Sequence, residues 1–229
     1  MQARLVHSTE IAPNVQHFVF EAEGADRLQY LPGQFVSFTE VVDGREITRA
    51  YSLASAPGDG NRFELCLNRV EDGRLSPHLF AMRAGESIQM SAPLGTFTLR
   101  APPRDSILIA TGTGITPFRA YLQAYLGTGA PPFTLLFGVR YESHLLYRAE
   151  FEDLDRRHPH FRFWPTLSRP EESWRGREGH VQAHLEEAIG GRRDVDFYLC
   201  GLKAMVDETR SMLKVMGFDR KQIRYEKYD

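Results

Sequence analysis

The chain has 229 residues, 42% hydrophobic and 25% charged, with a formal charge of -2. This is ordinary globular composition, which excludes disorder, collagen-like repeats and long coiled coil, and the length admits one large domain or two small ones. No surplus of Lys and Arg is available to neutralise a nucleic-acid backbone, so nucleic-acid binding is not expected. Cys66 and Cys200 stand far apart without CxxC spacing. That removes Cys-ligated iron-sulfur clusters, Cys-based zinc sites and a disulfide framework, and fits a reducing, cytoplasmic compartment. Met1 to Glu10 shows no signal-peptide run, and no stretch approaches the roughly 20 apolar residues of a membrane span, so membrane insertion is not expected.

From Ala3 to about Arg100, short β-type runs alternate with turn signals. The runs are Val15 to Glu21, Gln34 to Glu40, Phe63 to Val70, Ser87 to Ser91 and Thr96 to Leu99, separated by pieces such as Leu31-Pro32-Gly33 and Ala56-Pro57-Gly58-Asp59-Gly60. Regularly spaced short strands predict a barrel or sandwich. Ala101-Pro102-Pro103-Arg104-Asp105 interrupts any strand, because proline cannot donate to a ladder. The domain boundary is placed there, giving residues 1–102 and 103–229.

Beyond the boundary, Ser106 to Ala110 is a continuous apolar run, as in a buried parallel strand. It enters Thr111-Gly112-Thr113-Gly114, and Ile115 to Leu126 reads as a helix with Pro117 in its first turn. A strand over Phe133 to Val139, a helix from Leu146 to His158, a strand over Arg162 to Leu167 and a helix from Val181 to Ala188 follow. The strand Phe197 to Cys200 and a helix from Ala204 to Met216 complete the series. Alternating strands and helices predict a parallel sheet covered by helices, with ligands bound at the carboxyl ends of its strands.

Four constellations carry chemistry. In Arg49-Ala50-Tyr51-Ser52-Leu53, a guanidinium suits a phosphate, a ring can stack on a planar cofactor and a hydroxyl can donate to a ring nitrogen. The same stretch also fits an edge strand with a surface arginine. Gly112-Thr113-Gly114-Ile115-Thr116-Pro117 lets backbone approach a pyrophosphate at a helix start, or is a plain strand-to-helix turn. Arg140, Ser168, Arg169 and Arg177 follow the later strands and suit a phosphate monoester, or are solvated. Cys200-Gly201 ends the last apolar strand, and Tyr225-Glu226-Lys227-Tyr228-Asp229 is an aromatic tail of a kind that usually frays. No metal-binding pattern, GxSxG elbow or Walker A sequence is present.

In this order the pieces resemble the ferredoxin-NADP reductase family of flavoproteins over nearly the whole chain. The resemblance implies an N-terminal antiparallel Greek-key β-barrel that binds flavin and a C-terminal α/β parallel-sheet domain that binds the nicotinamide nucleotide. Arg49, Tyr51, Ser52 and Leu53 match the family's RxYS(L/T) motif. By that likeness Arg49 binds the flavin pyrophosphate, Tyr51 stacks on the isoalloxazine and Ser52 hydrogen-bonds near N5. Leu65-Cys66-Leu67 resembles the strand lining the flavin, and Gly73-Arg74-Leu75-Ser76 the GxxS pyrophosphate turn. Gly112 to Pro117, with Thr113, Gly114 and Thr116, is similar to the GTGIxP loop under the dinucleotide. Leu145 to Phe151 resembles the LLYxxEF helix, and Cys200-Gly201 the CG pair beside the nicotinamide. Glu226-Lys227-Tyr228 resembles the terminal Glu-x-aromatic, although Asp229 follows the aromatic here.

The catalytic set implied is Ser52, Cys200, Glu226 and Tyr228. The cofactor implied is FAD, with FMN as the alternative, and the substrate NADP(H), with NAD(H) as the alternative. Ser168-Arg169 resembles the pair holding the 2′-phosphate in NADP-dependent members, Arg177 falls where some carry a second arginine, and Arg140 is assigned to the bridging phosphates. The expected partner is ferredoxin or flavodoxin, with the enzyme a monomer. The rivals are an NADH-dependent reductase for an oxygenase or for free flavin, and a redox-inert nucleotide-binding module.

Overall fold

The computed structural model describes residues 1–127 and 129–228. Asp229, the departure from the tail motif, lies outside the described residues. The chain divides into two compact units, Met1–Leu99 with Thr116–Ala124, and Arg100–Ile115 with Tyr125–Asp229.

In the first unit, β1 (Gln2–Ala12), β2 (Val15–Ala22), β3 (Phe35–Val42), β4 (Arg45–Ser52), β5 (Arg62–Asn68) and β6 (Ser87–Met90) form one antiparallel sheet in the order β4-β3-β6-β1-β2-β5. Its two outer strands meet where Leu53 bridges Leu65, which closes the sheet into a barrel. Strand alternation sends Phe18, Phe20, Val36, Phe38, Phe63, Leu65 and Leu67 into one core. A short helix, α1 (Leu75–Ala81), lays Leu75 and Leu79 against it.

The second unit holds a six-stranded sheet of β7 (Ser106–Thr111), β8 (Phe133–Val139), β9 (Phe161–Leu167), β10 (Arg177–Glu178), β11 (Asp196–Leu202) and β12 (Ile223–Tyr228). The order is β10-β9-β8-β7-β11-β12, and every pairing is parallel. Residues 106–110 are all buried, as expected of a strand covered on both faces. The chain steps outward from β7 to β8 and β9 on one side and later to β11 and β12 on the other. That places the reversal of strand order at the carboxyl ends of β7 and β11, where open α/β sheets bind ligands. The helices are α2 (Thr116–Tyr125), which belongs with the first unit, then α3 (Arg148–Arg157), α4 (Leu185–Ile189) and α5 (Lys203–Val215). A 3-10 turn over Gly112–Ile115 joins β7 to α2.

Five elements differ from expectation. Residues 96–99 form no strand; the nearest pairing is a single bridge from Leu94, just before them, to Phe35. β4 lacks apolar alternation because seven of its eight residues, all but Ser52, are exposed or half-buried on an outer strand. β1 precedes the first expected strand, Val15 to Glu21, which is β2, and α1 stands where only a turn was read. The tail is an ordered outer strand, with Cys200 beside Glu226 and Leu202 beside Tyr228 in register.

Candidate functional site

In the first unit, the end of β4 carries Arg49, Tyr51 and Ser52. Arg49 is exposed, and its Nη1 donates to the neighbouring Thr48 carbonyl at 2.9 Å. No carboxylate pairs with it among the described residues, so the guanidinium keeps donors for an anion. Tyr51 is half-buried with its ring centroid 5.9 Å from that of Phe38. Burial pushes its phenol up to about 12, against the opposing pull of the Arg49 charge. It therefore stays a neutral, flat apolar surface with a donor at its tip. Ser52 is buried in register with Phe35.

The side chains of Leu53, Leu65 and Leu67 belong to the barrel core. Only the backbone of this strand end can face a ligand there, while Cys66 points the other way and its carbonyl accepts from Thr116 Oγ1 at 3.4 Å. The Gly73 turn is tight: a Cβ there would lie 2.9 Å from Val70 Cβ and 3.2 Å from Ser76 Oγ. Ser76 Oγ itself accepts from the Val70 N–H at 3.0 Å. Its hydroxyl closes the turn, so a phosphate contact at Gly73–Ser76 falls to backbone N–H groups. An unpaired arginine, a neutral ring and a glycine turn together fit a flavin nucleotide with a pyrophosphate.

In the second unit, Gly112 and Gly201 both have positive φ, 54° and 137°. Gly114 packs against the end of β11 so closely that a Cβ would overlap the Cys200 carbonyl. The Leu202 N–H donates to Thr111 Oγ1 at 3.1 Å, tying the ends of β7 and β11 together. Cys200, Gly201, Thr113, Glu226 and Tyr228 are thus assembled on this carboxyl edge. The Cys200 thiol is fully buried. Burial pushes it well above its ordinary value, the Glu226 carboxylate pushes the same way, and a hydrogen bond from the Tyr228 hydroxyl opposes both. It is a neutral thiol, unsuited to act as a nucleophile at physiological pH. Tyr228 is held against Cys200 by that bond.

At the ends of β8 and β9, the Ser168 N–H donates to the Val139 carbonyl at 3.0 Å and the Arg169 N–H to the Arg140 carbonyl at 2.9 Å. Arg140 and Arg169 are thereby adjacent, both exposed, and neither pairs with a carboxylate among the described residues. Arg177 differs. Its guanidinium makes two bonds to Glu187, at 2.5 and 2.7 Å, and lies 3.8 Å from the centroid of the Trp164 ring. Since Arg177 is in register with Thr166, contact with Trp164 means that its side chain turns back from the carboxyl edge. The sequence places Arg177 with the phosphate-binding cations; the structure pairs it with an acid and a ring.

Sequence reasoning missed Arg119, Glu64, Tyr30 and Gln123, which surround the segment just after Ser52. The signal available was Arg119 itself, the one charged residue in the otherwise apolar and neutral α2 sequence TPFRAYLQAY.

A flavin-competent barrel followed by a parallel sheet with a glycine-rich first turn defines a flavin-dependent nicotinamide oxidoreductase. Residues 2–99 match the oxidoreductase FAD-binding domain and residues 108–211 the oxidoreductase NAD-binding domain. The chain is 38% identical over 238 residues to ferredoxin–NADP reductase B of Sorangium cellulosum, covering 100% of this chain and 97% of that protein. It is 28% identical to the toluate 1,2-dioxygenase electron transfer component of Pseudomonas putida, covering 99% of this chain and 67% of that one. The fold is that of the ferredoxin NADP+ reductase from Neisseria gonorrhoeae, solved with bound FAD and NADP, with a TM-score of 0.85 at 23% identity over 99% and 98% of the two chains. The chain belongs to the ferredoxin-NADP reductase family: it is an FAD-dependent oxidoreductase that uses a nicotinamide dinucleotide. No helix among the described residues is long and apolar enough to cross a membrane.

Proposed function

We propose that this enzyme exchanges a hydride between NADP(H) and FAD and passes single electrons to or from a separate carrier such as ferredoxin or flavodoxin, as a cytoplasmic monomer. Bound FAD supplies the chemistry, because a flavin takes up two electrons together and releases them one at a time. Residues 1–102 hold it and residues 103–229 hold the dinucleotide. Arg49 binds the flavin pyrophosphate together with the Gly73–Ser76 turn, Tyr51 covers the ring and Ser52 offers its hydroxyl to the reacting edge. Gly112, Thr113, Gly114 and Thr116 shape the dinucleotide loop. Cys200, Gly201, Glu226 and Tyr228 border the nicotinamide, with Cys200 a neutral packing and hydrogen-bonding group.

The observation that carries the NADP(H) preference is the pair of adjacent arginines beside Ser168, Arg140 and Arg169, without carboxylate partners among the described residues. A 2′-phosphate gains from such donors, and a dinucleotide without it does not. Two charge-assisted contacts favour NADPH by about 30-fold or more. Steady-state kcat/KM for NADPH and NADH with ferricyanide as acceptor tests this, and equal values would sink it. The second reading, an NADH-dependent reductase serving an oxygenase, is favoured by one feature: Glu187 already occupies Arg177. Arg169→Ala separates the two, since it should erase an NADPH preference and leave NADH turnover unchanged.

A further inference from the structure

Helix α2 contains one charged residue, Arg119, whose side chain is only 12% exposed. A buried cation is costly unless paired, and an apolar residue would pack the helix without that cost. The guanidinium is paired: Nη1 donates to the Ala54 carbonyl at 2.9 Å and to Glu64 Oε2 at 2.5 Å. Glu64 also lies 3.6 Å from His17 Nε2.

Ala54 follows directly on the Arg49–Leu53 motif, and the surrounding bonds make its segment a clamp. The Leu53 N–H donates to the Gln34 carbonyl at 2.9 Å and the Ala54 N–H to the Glu64 carbonyl at 2.7 Å. Ser55 Oγ lies 2.9 Å from the Tyr30 hydroxyl and accepts from the Glu64 N–H at 3.2 Å. The Ala56 N–H donates to Gln123 Oε1 at 3.0 Å, and its carbonyl accepts from the Tyr30 hydroxyl at 3.0 Å. Both Arg119 and Gln123 come from α2, which begins immediately after the Gly112–Ile115 turn.

We infer that Arg119 is a positioning residue for the flavin: by holding the Ala54 carbonyl and Glu64 together, it fixes the strand end that presents Tyr51 and Ser52. Catalytic and binding geometry tolerates little slack, and a side chain well away from the chemistry can matter through placement alone. The inference rests on FAD being bound by residues 2–99 and not on the preference for NADPH.

The test is FAD titration of the apoprotein by fluorescence quenching, with thermal midpoints and the visible spectrum of the loaded protein. Folded Arg119→Ala should bind FAD about 10-fold or more weakly, the effect of losing one hydrogen bond to a charged group. The vibrational structure of the flavin's visible band should blur. Arg119→Lys, a point charge that cannot reproduce the planar fork, should fall between the two. Wild-type FAD affinity and spectrum in Arg119→Ala, whatever its thermal midpoint, would overturn the inference and leave Arg119 a stability residue. Should Arg119→Ala not fold, Arg119→Lys decides: a several-fold loss of affinity upholds the inference and wild-type affinity overturns it. No dinucleotide enters the titration, so failure of the NADPH reading leaves the result intact.

Discussion

At the scale of single residues, the two cysteines show how burial decides chemistry. Cys66 and Cys200 are both buried and free. Neither should react with a thiol reagent in the native protein, and both should react after denaturation. The pH dependence of stability follows from Cys200. Its ordinary value is 9.0 and its folded value lies well above that, chiefly through burial and then through the Glu226 charge. The unfolded thiol therefore loses its proton first as pH rises. Stability from keeping this group neutral is complete below pH 9.0 and falls above it, by at most about 1.4 kcal/mol per pH unit. Tyr51, Tyr30 and Tyr198 are also shifted upward, from 10.0. These tyrosines begin to add to the loss as pH nears 10.0, so the Cys200 share is the difference between wild type and Cys200→Ala: urea unfolding between 9.0 and 10.0 should show a flatter profile in the variant. A profile as steep as the wild type would remove Cys200 as the cause. Arg49 supplies a contrasting case, since no acid among the described residues pairs with its exposed guanidinium. Arg49→Ala should weaken FAD binding by about 1.5–3 kcal/mol, the worth of a hydrogen bond to a charged group, measured by the same apoprotein titration.

At the scale of elements, legibility tracks periodicity. β7, with residues 106–110 all buried, and β8, with residues 133–138 buried, announce themselves as apolar runs. β4 and β12 do not, because each is an outer strand of its sheet and its sequence, REITRAYS or IRYEKY, has one buried residue and no run of them to impose alternation. Their existence depends on pairing partners far away in the chain. The site divides the same way. Arg49 to Leu53 and Gly112 to Pro117 are contiguous and can be read as motifs, whereas the clamp on Ala54 draws on residues 30, 64, 119 and 123 and exists only after folding. Arg177 stands on the opposite side of that lesson: spacing suggests a phosphate ligand, and folding brings it against Glu187 and Trp164, which spacing does not show. The β7-to-α2 turn gives an element-scale prediction. A methyl group at residue 114 would meet the Cys200 carbonyl backbone, which cannot swing aside as a side chain can. Gly114→Ala should lower the thermal midpoint and abolish dinucleotide affinity, while Gly112→Ala meets no atom within 4 Å and suffers only from its positive φ. Calorimetric titration with the dinucleotide should rank the two in that order.

At the scale of the whole molecule, the chain's order and its compact units disagree in one place, and that disagreement can be measured. Residues 116–124 follow β7 in sequence but pack with residues 1–99. Tyr121 donates its hydroxyl to the Phe97 carbonyl, the Phe118 ring packs tilted against Phe97 with centroids 6.0 Å apart, and Arg119 and Gln123 hold the segment after Ser52. Each unit also has its own apolar cluster, one around Phe20, Phe38 and Phe63 and the other around Ile109, Phe197 and Leu199. A ligand that binds only the folded form stabilises it by mass action, about 2.7 kcal/mol at a hundred times its dissociation constant. FAD contacts assigned to the first unit should therefore protect that unit's amides selectively. Hydrogen exchange with and without FAD should show protection lost across residues 2–99 and equally across 116–124, while β8 and β11 exchange at the same rate in both states. If 116–124 instead behaved like β8 and β11, α2 would be energetically part of the dinucleotide-binding unit and the clamp on Ala54 would not couple it to the flavin.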